Sequence, residues 1–171
     1  NFDLSVFING SYGNKVYNYL SMKLTHMNSP WTNQLNAVNG RAQLVPINPN
    51  KGYEDGTMWY NDVSNVMVAN PGASIPRATI NDPNDNDRIS DRYIEDGSYI
   101  RLKNISLGYT FPKKTIDKLG LSNLRIYANI QNLLTITGYD GYDPEIGAST
   151  SSVNVYGLDN GRYPSPTVYS F

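Results

Sequence analysis

From Phe2 to Tyr12 the side chains alternate between two kinds, and this period of two over about ten residues limits the fold more than any other feature. Phe2, Leu4, Val6, Ile8 and Tyr12 fall on one face; Asp3, Ser5, Phe7, Asn9 and Ser11 fall on the other. One apolar face and one largely polar face is the pattern of a half-buried antiparallel strand. Strands in soluble proteins usually run about 5–6 residues. Ten residues at about 3.3 Å each, tilted by roughly 40°, rise about 25 Å, the height of the apolar band of a transmembrane barrel. A sandwich strand with one wet face explains the alternation equally well, but not the length.

Two further segments repeat the pattern. Ile105, Leu107, Tyr109 and Phe111 alternate with Asn104, Ser106, Gly108 and Thr110. Leu124, Ile126, Ala128, Ile130 and Leu134 stand against Arg125, Tyr127, Asn129, Gln131 and Leu133. Arg101 and Lys103 fit less well, because simple alternation puts both on the apolar face. A cation at the midplane of a barrel costs about 2–4 kcal/mol, falling to about 0–1 near the interfaces. Either the pair lies above the hydrocarbon and meets lipopolysaccharide phosphates, or a β-bulge reverses the alternation. The first is preferred, since a stripe ending near Ile105 still suits a thin outer membrane.

Between these strands the alternation is lost. Residues 20–97 carry Pro30, Pro46, Pro49, Pro71, Pro76 and Pro83 among many Asn, Asp and Gly. Ser29-Pro30 ahead of Trp31 to Val38 reads as an N-cap and N1 proline opening a short helix. So long a loop is unusual within a compact soluble domain and ordinary on the outer side of a membrane barrel. Pro112 to Gly120 reads as a short helical turn. The expected fold is therefore all-β: an antiparallel transmembrane β-barrel fragment with strands at about 2–17, 98–111, 124–135 and 167–171. Extracellular loops are expected over about 20–97 and 137–166, with a periplasmic turn at 112–123.

Composition agrees. The chain has 22 Asn and 14 Tyr but only 17% charged residues, which suits strands with much loop. A net charge of −1 points to no nucleic acid and no acidic lipid surface. The absence of cysteine removes disulfides and thiolate sites and leaves the redox compartment open. No apolar run approaches the roughly 18 residues of a membrane helix. Both ends read as interrupted strands, so the chain is expected to be a fragment.

Three stretches resemble the closing part of the SusC-like (SusC/RagA) TonB-dependent outer-membrane transporters. They are Phe2 to Asn18, Ser90 to Pro112, and Leu124-Arg125-Ile126-Tyr127 through Asn129-Ile130-Gln131-Asn132-Leu133 to Gly141-Tyr142-Asp143-Pro144-Glu145. The most specific run is Glu95-Asp96-Gly97-Ser98-Tyr99-Ile100-Arg101-Leu102-Lys103-Asn104-Ile105-Ser106-Leu107-Gly108-Tyr109-Thr110-Phe111-Pro112. The resemblance implies a barrel of about 22 strands around a plugged lumen, with these segments as strands 19 to 22. It implies uptake of glycans or peptides, energy from the TonB complex through an N-terminal part missing here, and a SusD-like lipoprotein over the extracellular mouth. It implies no enzyme activity and no cofactor. The alternatives are a soluble β-sandwich that binds carbohydrate and the barrel of a siderophore-type TonB-dependent receptor.

Candidate sites follow from residue chemistry. Trp31, Tyr53, Trp59 and Tyr60 in the long loop suit stacking on a ligand or anchoring the lipoprotein lid, against the plainer reading that they pack the loop on itself. Arg125, Asn129 and Gln131 suit contact with the lumen or plug. His26, with no Cys or second His, reads as a solvated loop residue. Asp82 to Asp87 resembles the start of an EF-hand loop, but Asp87 and Tyr93 stand where Gly and Glu are needed, so a polar turn is expected. Asp140, Asp143 and Glu145 cluster as a glycosidase pair would, yet their spacing in a Gly-flanked loop is equally that of Asx-turn residues. No catalytic or metal residue is therefore assigned.

Overall fold

The fold was obtained as a computed structural model, and it describes residues 1–79, 81, 82, 84–146 and 156–171. In chain order the elements are β1 (Phe2–Ser11), β2 (Lys15–Asn18), helix α1 (Tyr19–Thr25), β3 (Leu44–Pro46), β4 (Val66–Val68), β5 (Ile94–Asp96), β6 (Tyr99–Thr110), the short helix α2 (Lys113–Ile116), β7 (Arg125–Thr137), β8 (Leu158–Asp159) and β9 (Val168–Ser170). Most regular structure is strand. The chain divides into two compact units, residues 1–19 with 91–171, and residues 20–90.

The first unit is built on a four-stranded antiparallel sheet in the order β1-β6-β7-β9. Phe2, Leu4 and Val6 lie opposite Tyr109, Leu107 and Ile105, which in turn face Ile126, Ala128 and Ile130. The register then shifts. Ile8 and Gly10 pair with Leu102 and Ile100, which leaves Lys103 as an extra residue in β6. Side chains switch faces at each residue of a strand, so one extra residue exchanges the faces beyond it. The apolar stripe thus continues through Leu102 and Ile100, and Arg101 moves to the opposite face, paired with Asn9 and Thr135. The expectation that Arg101 points outward above the hydrocarbon is therefore corrected, and the bulge is the arrangement found. Strand β7 matches it with its own extra residue: Leu134 pairs with Leu102 and Gln131 with Asn104, and Asn132 takes a left-handed φ of 52°. Asn is among the few non-glycine residues that tolerate that conformation.

The apolar stripe is uncovered: Leu4 is 67% exposed and Ile126 60% exposed. The rings of Phe2, Tyr109 and Phe111 meet in sequence at one end of it, the first pair tilted and the second edge to face, with centroids 4.6 and 4.8 Å apart. On the other face the Arg125 guanidinium reaches Asp3 at 2.6 Å across Gly108, where a Cβ would stand 2.5 Å from that guanidinium.

The first strand stops at Ser11 instead of running to 17. Gly13 turns the chain with φ 78°, and Lys15, Val16 and Tyr17 then pair with Asp96, Glu95 and Ile94. Strand β8 adds to β2 in parallel, giving a small sheet in the order β5-β2-β8. Val16, Tyr93, Tyr99 and Tyr139 are among the buried side chains of this unit. Asn18 is buried too, and its amide donates to Glu95 at 2.9 Å.

The second unit is held by amides. Asn65 accepts from the Asn48 backbone at 2.8 Å and donates to the Asn48 carbonyl at 3.1 Å and to Tyr53 Oη at 3.0 Å. Asn70 accepts from the Gln43 backbone at 2.8 Å and donates to the Arg41 carbonyl at 2.9 Å. These bonds extend the two-stranded β3–β4 ladder where the backbone alone leaves it open. The expected helix over Trp31 to Val38 is not formed. Ser29 accepts the Trp31 N–H at 3.3 Å in a local turn, Leu35 is drawn to the Leu24 carbonyl at 3.0 Å, and only Asn36–Gly40 coils, as a 3₁₀ turn. Helix α1, which sequence periodicity did not suggest, precedes it.

Two strand glycines make opposite predictions. A Cβ on Gly10 meets the Tyr99 carbonyl of the neighbouring backbone at 2.6 Å, whereas on Gly108 it meets only the movable ends of Arg125 and Asp3. In a urea titration of the folded protein, Gly10→Ala should lower stability by about 1–3 kcal/mol. Gly108→Ala should cost under about 1 kcal/mol.

Candidate functional site

The bulge at Lys103 delivers two cations to one place. The Arg101 guanidinium, 3% exposed, donates through Nη2 to Asp143 Oδ1, through Nη1 to Glu145 Oε2 at 2.7 Å and through Nε to Thr135 Oγ1 at 2.8 Å. Lys103 Nζ donates to both Glu145 oxygens at 2.6 Å. Asp143, 7% exposed, also accepts the Glu145 N–H at 2.9 Å and the Ser165 N–H at 3.0 Å. Arg101 further lies 5.7 Å from the Tyr99 ring centre. Burial pushes the Asp143 carboxyl up, but the Arg101 hydrogen bond and the Ser165 and Glu145 amides outweigh it and hold it below the usual carboxylate range. The cluster ties β6, the segment 138–146 and the approach to β9 together.

Two carboxylates neutralised by two cations provide neither a free acid nor a free base, so Asp143 and Glu145 act as loop anchors. Asp140 is apart from them, with its N–H donating to Glu95 at 3.2 Å. Sequence reasoning missed the cluster, although a signal existed: Arg-x-Lys in a strand and Asp-x-Glu in a loop share one-residue spacing. Tyr139 donates to Asp159 at 2.6 Å and closes the same region; burial first, then that bond, raise its pKa well above the usual phenol value.

The four loop aromatics separate. Trp31 is 92% exposed, and its ring meets no other aromatic ring among the described residues. Tyr53 is used internally, donating to Asp62 at 3.0 Å, and Asp62 also takes Lys51 at 2.5 Å. The Lys51 bond is the first of several that hold the Asp62 carboxyl well below its ordinary range. Trp59 and Tyr60 meet edge to face at 5.7 Å and line a groove of about 1150 Å³ together with Arg41, Arg77, Asn81 and Asn84. Arg77 lies 5.9 Å from the Tyr60 ring centre.

Of the expected lumen residues, Asn129 and Gln131 share a face with Ser106 and Asn104 through their pairing, and Arg125 is held by Asp3. His26 is not solvated: its side chain is 8% exposed and Nε2 lies 3.1 Å from Asp82. Asp82 also binds Asn86 at 2.8 Å and the Asp87 N–H at 3.2 Å, so the expected polar turn is closed by a histidine 56 positions earlier in the chain.

Three strands of the sheet are 10 to 13 residues long and share one uncovered apolar face. No family model matches the chain. Over 99% of its length it is 33% identical to TonB-dependent receptor P3 of Formosa agariphila, of which it spans 14%. Over 46% of its length it is 38% identical to TonB-dependent receptor SusC of Bacteroides thetaiotaomicron, of which it spans 7%. Its backbone matches the RagAB peptide importer in the closed-closed state with a TM-score of 0.62 at 20% identity, over 98% of this chain and 15% of that one. These are TonB-dependent receptors, β-barrel proteins of the outer membrane. The chain belongs to their SusC-like family, as a segment of such a receptor.

Removing one partner of a buried ion pair costs about 3–5 kcal/mol. Arg101→Ala should therefore loosen residues 138–146, read as a large rise in their amide exchange in the full-length receptor, with Lys103→Ala doing less. Because the Asp143 carboxyl is held low, its stabilisation is complete above the unfolded pKa and disappears as the pH falls through the folded one. Protection of the amides in this segment, taken relative to their intrinsic exchange at each pH, should be flat near neutrality and fall only in strong acid.

Proposed function

We propose that the chain forms part of the wall of an outer-membrane β-barrel, with β1, β6, β7 and β9 as consecutive strands. By resemblance they are the last four of about 22. The whole protein is then a TonB-dependent importer of glycans or peptides that works with a SusD-like surface lipoprotein and contacts lipid and lipopolysaccharide on its outside. The observation that carries this reading is the stripe of Leu4, Val6, Ile105, Leu107, Ile126 and Ile130, shared by three paired strands and covered by no second sheet among the described residues. Lipid is the partner such a face needs, and a closed barrel satisfies the strand edges a bilayer cannot. A soluble sandwich requires a second sheet over the same stripe.

The connections support an orientation. Phe2, Tyr109 and Ile126 are neighbours at the end where β6 passes to β7 through 14 residues, 111 to 124. The longer excursions after β1 and β7 leave from the opposite end. Short turns face the periplasm and long loops face outward in such barrels. Residues 20–90 are accordingly the main extracellular loop. Asn104, Ser106, Asn129 and Gln131 face the lumen and the plug that other parts of the receptor supply. Exposed Trp31 suits contact with the lipoprotein lid, and Trp59 and Tyr60 suit contact with the imported ligand. Similarity to SusC favours this family over siderophore receptors.

The facing is testable at adjacent residues. Ile105→Arg, in the middle of the stripe, should cost about 2–4 kcal/mol of folding stability in lipid vesicles. Ser106→Arg, on the other face, should be nearly neutral. Equal tolerance of the two substitutions in the full-length receptor would remove the proposal.

A further inference from the structure

The groove of residues 20–90 carries a charge pattern that the importer reading alone does not explain. Arg41 and Arg77 both line it, and no carboxylate lines it among the described residues. Most of the cations described above are paired: Lys51 with Asp62, Arg101 with Asp143 and Glu145, Lys103 with Glu145, and Arg125 with Asp3. Neither Arg41 nor Arg77 has an ion pair among the described residues. Arg41 donates only one bond there, from Nη1 to the Val38 carbonyl at 3.3 Å, and Arg77 rests over the Tyr60 ring. A guanidinium has five donors in a fork that fits a carboxylate through two parallel bonds, so most of this donor capacity is open to the groove.

The rest of the lining selects the ligand further. Trp59 and Tyr60 supply aromatic surface, and Asn81 and Asn84 supply side-chain amides. Amides that both donate and accept match sugar hydroxyls, which also do both. An aromatic ring covers the C–H face of a pyranose. A peptide would instead look for a free strand edge, and Pro46 closes the end of β3 beside this groove.

We infer that the groove binds an acidic oligosaccharide, with Arg41 and Arg77 gripping its carboxylates and Trp59 and Tyr60 stacking on its rings. This deepens the importer reading and rests on it. Arg41 and Arg77 are binding residues for the anionic groups, and the aromatic pair serves charged and neutral sugars alike.

Calorimetry on the detergent-solubilised full-length receptor tests the inference. The probes are tetramers of galacturonate, mannuronate and glucuronate, neutral maltotetraose and tetraglutamate. At least one uronate tetramer should bind roughly tenfold more tightly than maltotetraose, with affinity falling as salt rises. Arg41→Gln and Arg77→Gln should each weaken that binding roughly tenfold and weaken maltotetraose binding by much less, about twofold at most, while the Lys variants recover part of the loss. Trp59→Ala should weaken both kinds of sugar.

Equal affinity for charged and neutral tetramers, or uronate binding indifferent to both Arg→Gln changes, overturns the inference. Tighter binding of tetraglutamate than of any sugar assigns the groove to peptides and overturns it as well. A receptor that inserts into lipid, passes the Ile105→Arg comparison and binds none of the probes rejects this inference alone. A receptor that fails the Ile105→Arg comparison rejects the importer reading beneath it.

Discussion

In a sheet with one apolar face, the side on which a residue stands is decided by the parity of its position, and one unpaired residue reverses that parity for everything beyond it. Lys103 is that residue in β6. Without the bulge, Arg101 would stand among Ile8, Leu134 and their neighbours, with its charge against hydrocarbon. With it, Ile100 and Leu102 take over the stripe and Arg101 turns to where Asp143 and Glu145 come down from the loop. The left-handed Asn132 in β7 belongs to the same event, because a strand paired with a bulged one must shift its own register to stay in step. The two irregularities in adjacent strands are thus one device. It keeps the proposed lipid face continuous while placing a charged anchor where the segment 138–146 meets β6.

The loop unit follows a different logic. Its ladders are three residues long, too short to satisfy the backbone by themselves, and asparagine amides complete them. Asn65 and Asn70 each bridge segments that β3 and β4 bring near. Buried ion pairs and amide bridges fix the loops without a large apolar core, so aromatic and cationic side chains can remain at the groove surface. Tyr53 shows the cost of that economy: its hydroxyl is taken by Asp62 and Asn65 and is unavailable to a ligand.

Period-two patterning was legible wherever a strand had one uniform partner face, as in Phe2 to Ser11 and Ile105 to Thr110. It left Arg101 open. The change from Ile105 and Leu107 to Leu102 and Ile100 marks a break in the alternation that a bulge and a stripe ending near Ile105 explain equally well. Only the register of the neighbouring strand decides. The small sheet of β5, β2 and β8 was equally unreadable. It joins segments of two to four residues that lie far apart in sequence, and so short a run carries no period. His26 was misplaced for the same reason, since its burial depends on Asp82, far along the chain. Among the loop aromatics, residue type suggested four equivalent candidates, but only tertiary contacts could separate the consumed Tyr53 and the exposed Trp31 from the groove pair.

Pairing divides many of the charged residues by role. Arg125 with Asp3, Arg101 with Asp143, and Lys51 with Asp62 are local neutral units that a barrel wall and its loops can hold without attracting ligands. Arg41 and Arg77 depart from this pattern in the unit where the aromatic pair lines a groove. A cation left without a carboxylate beside a groove realises its strongest interaction only when an anion arrives. The paired charges therefore belong to architecture, and the two arginines at the groove are the ones proposed for recognition.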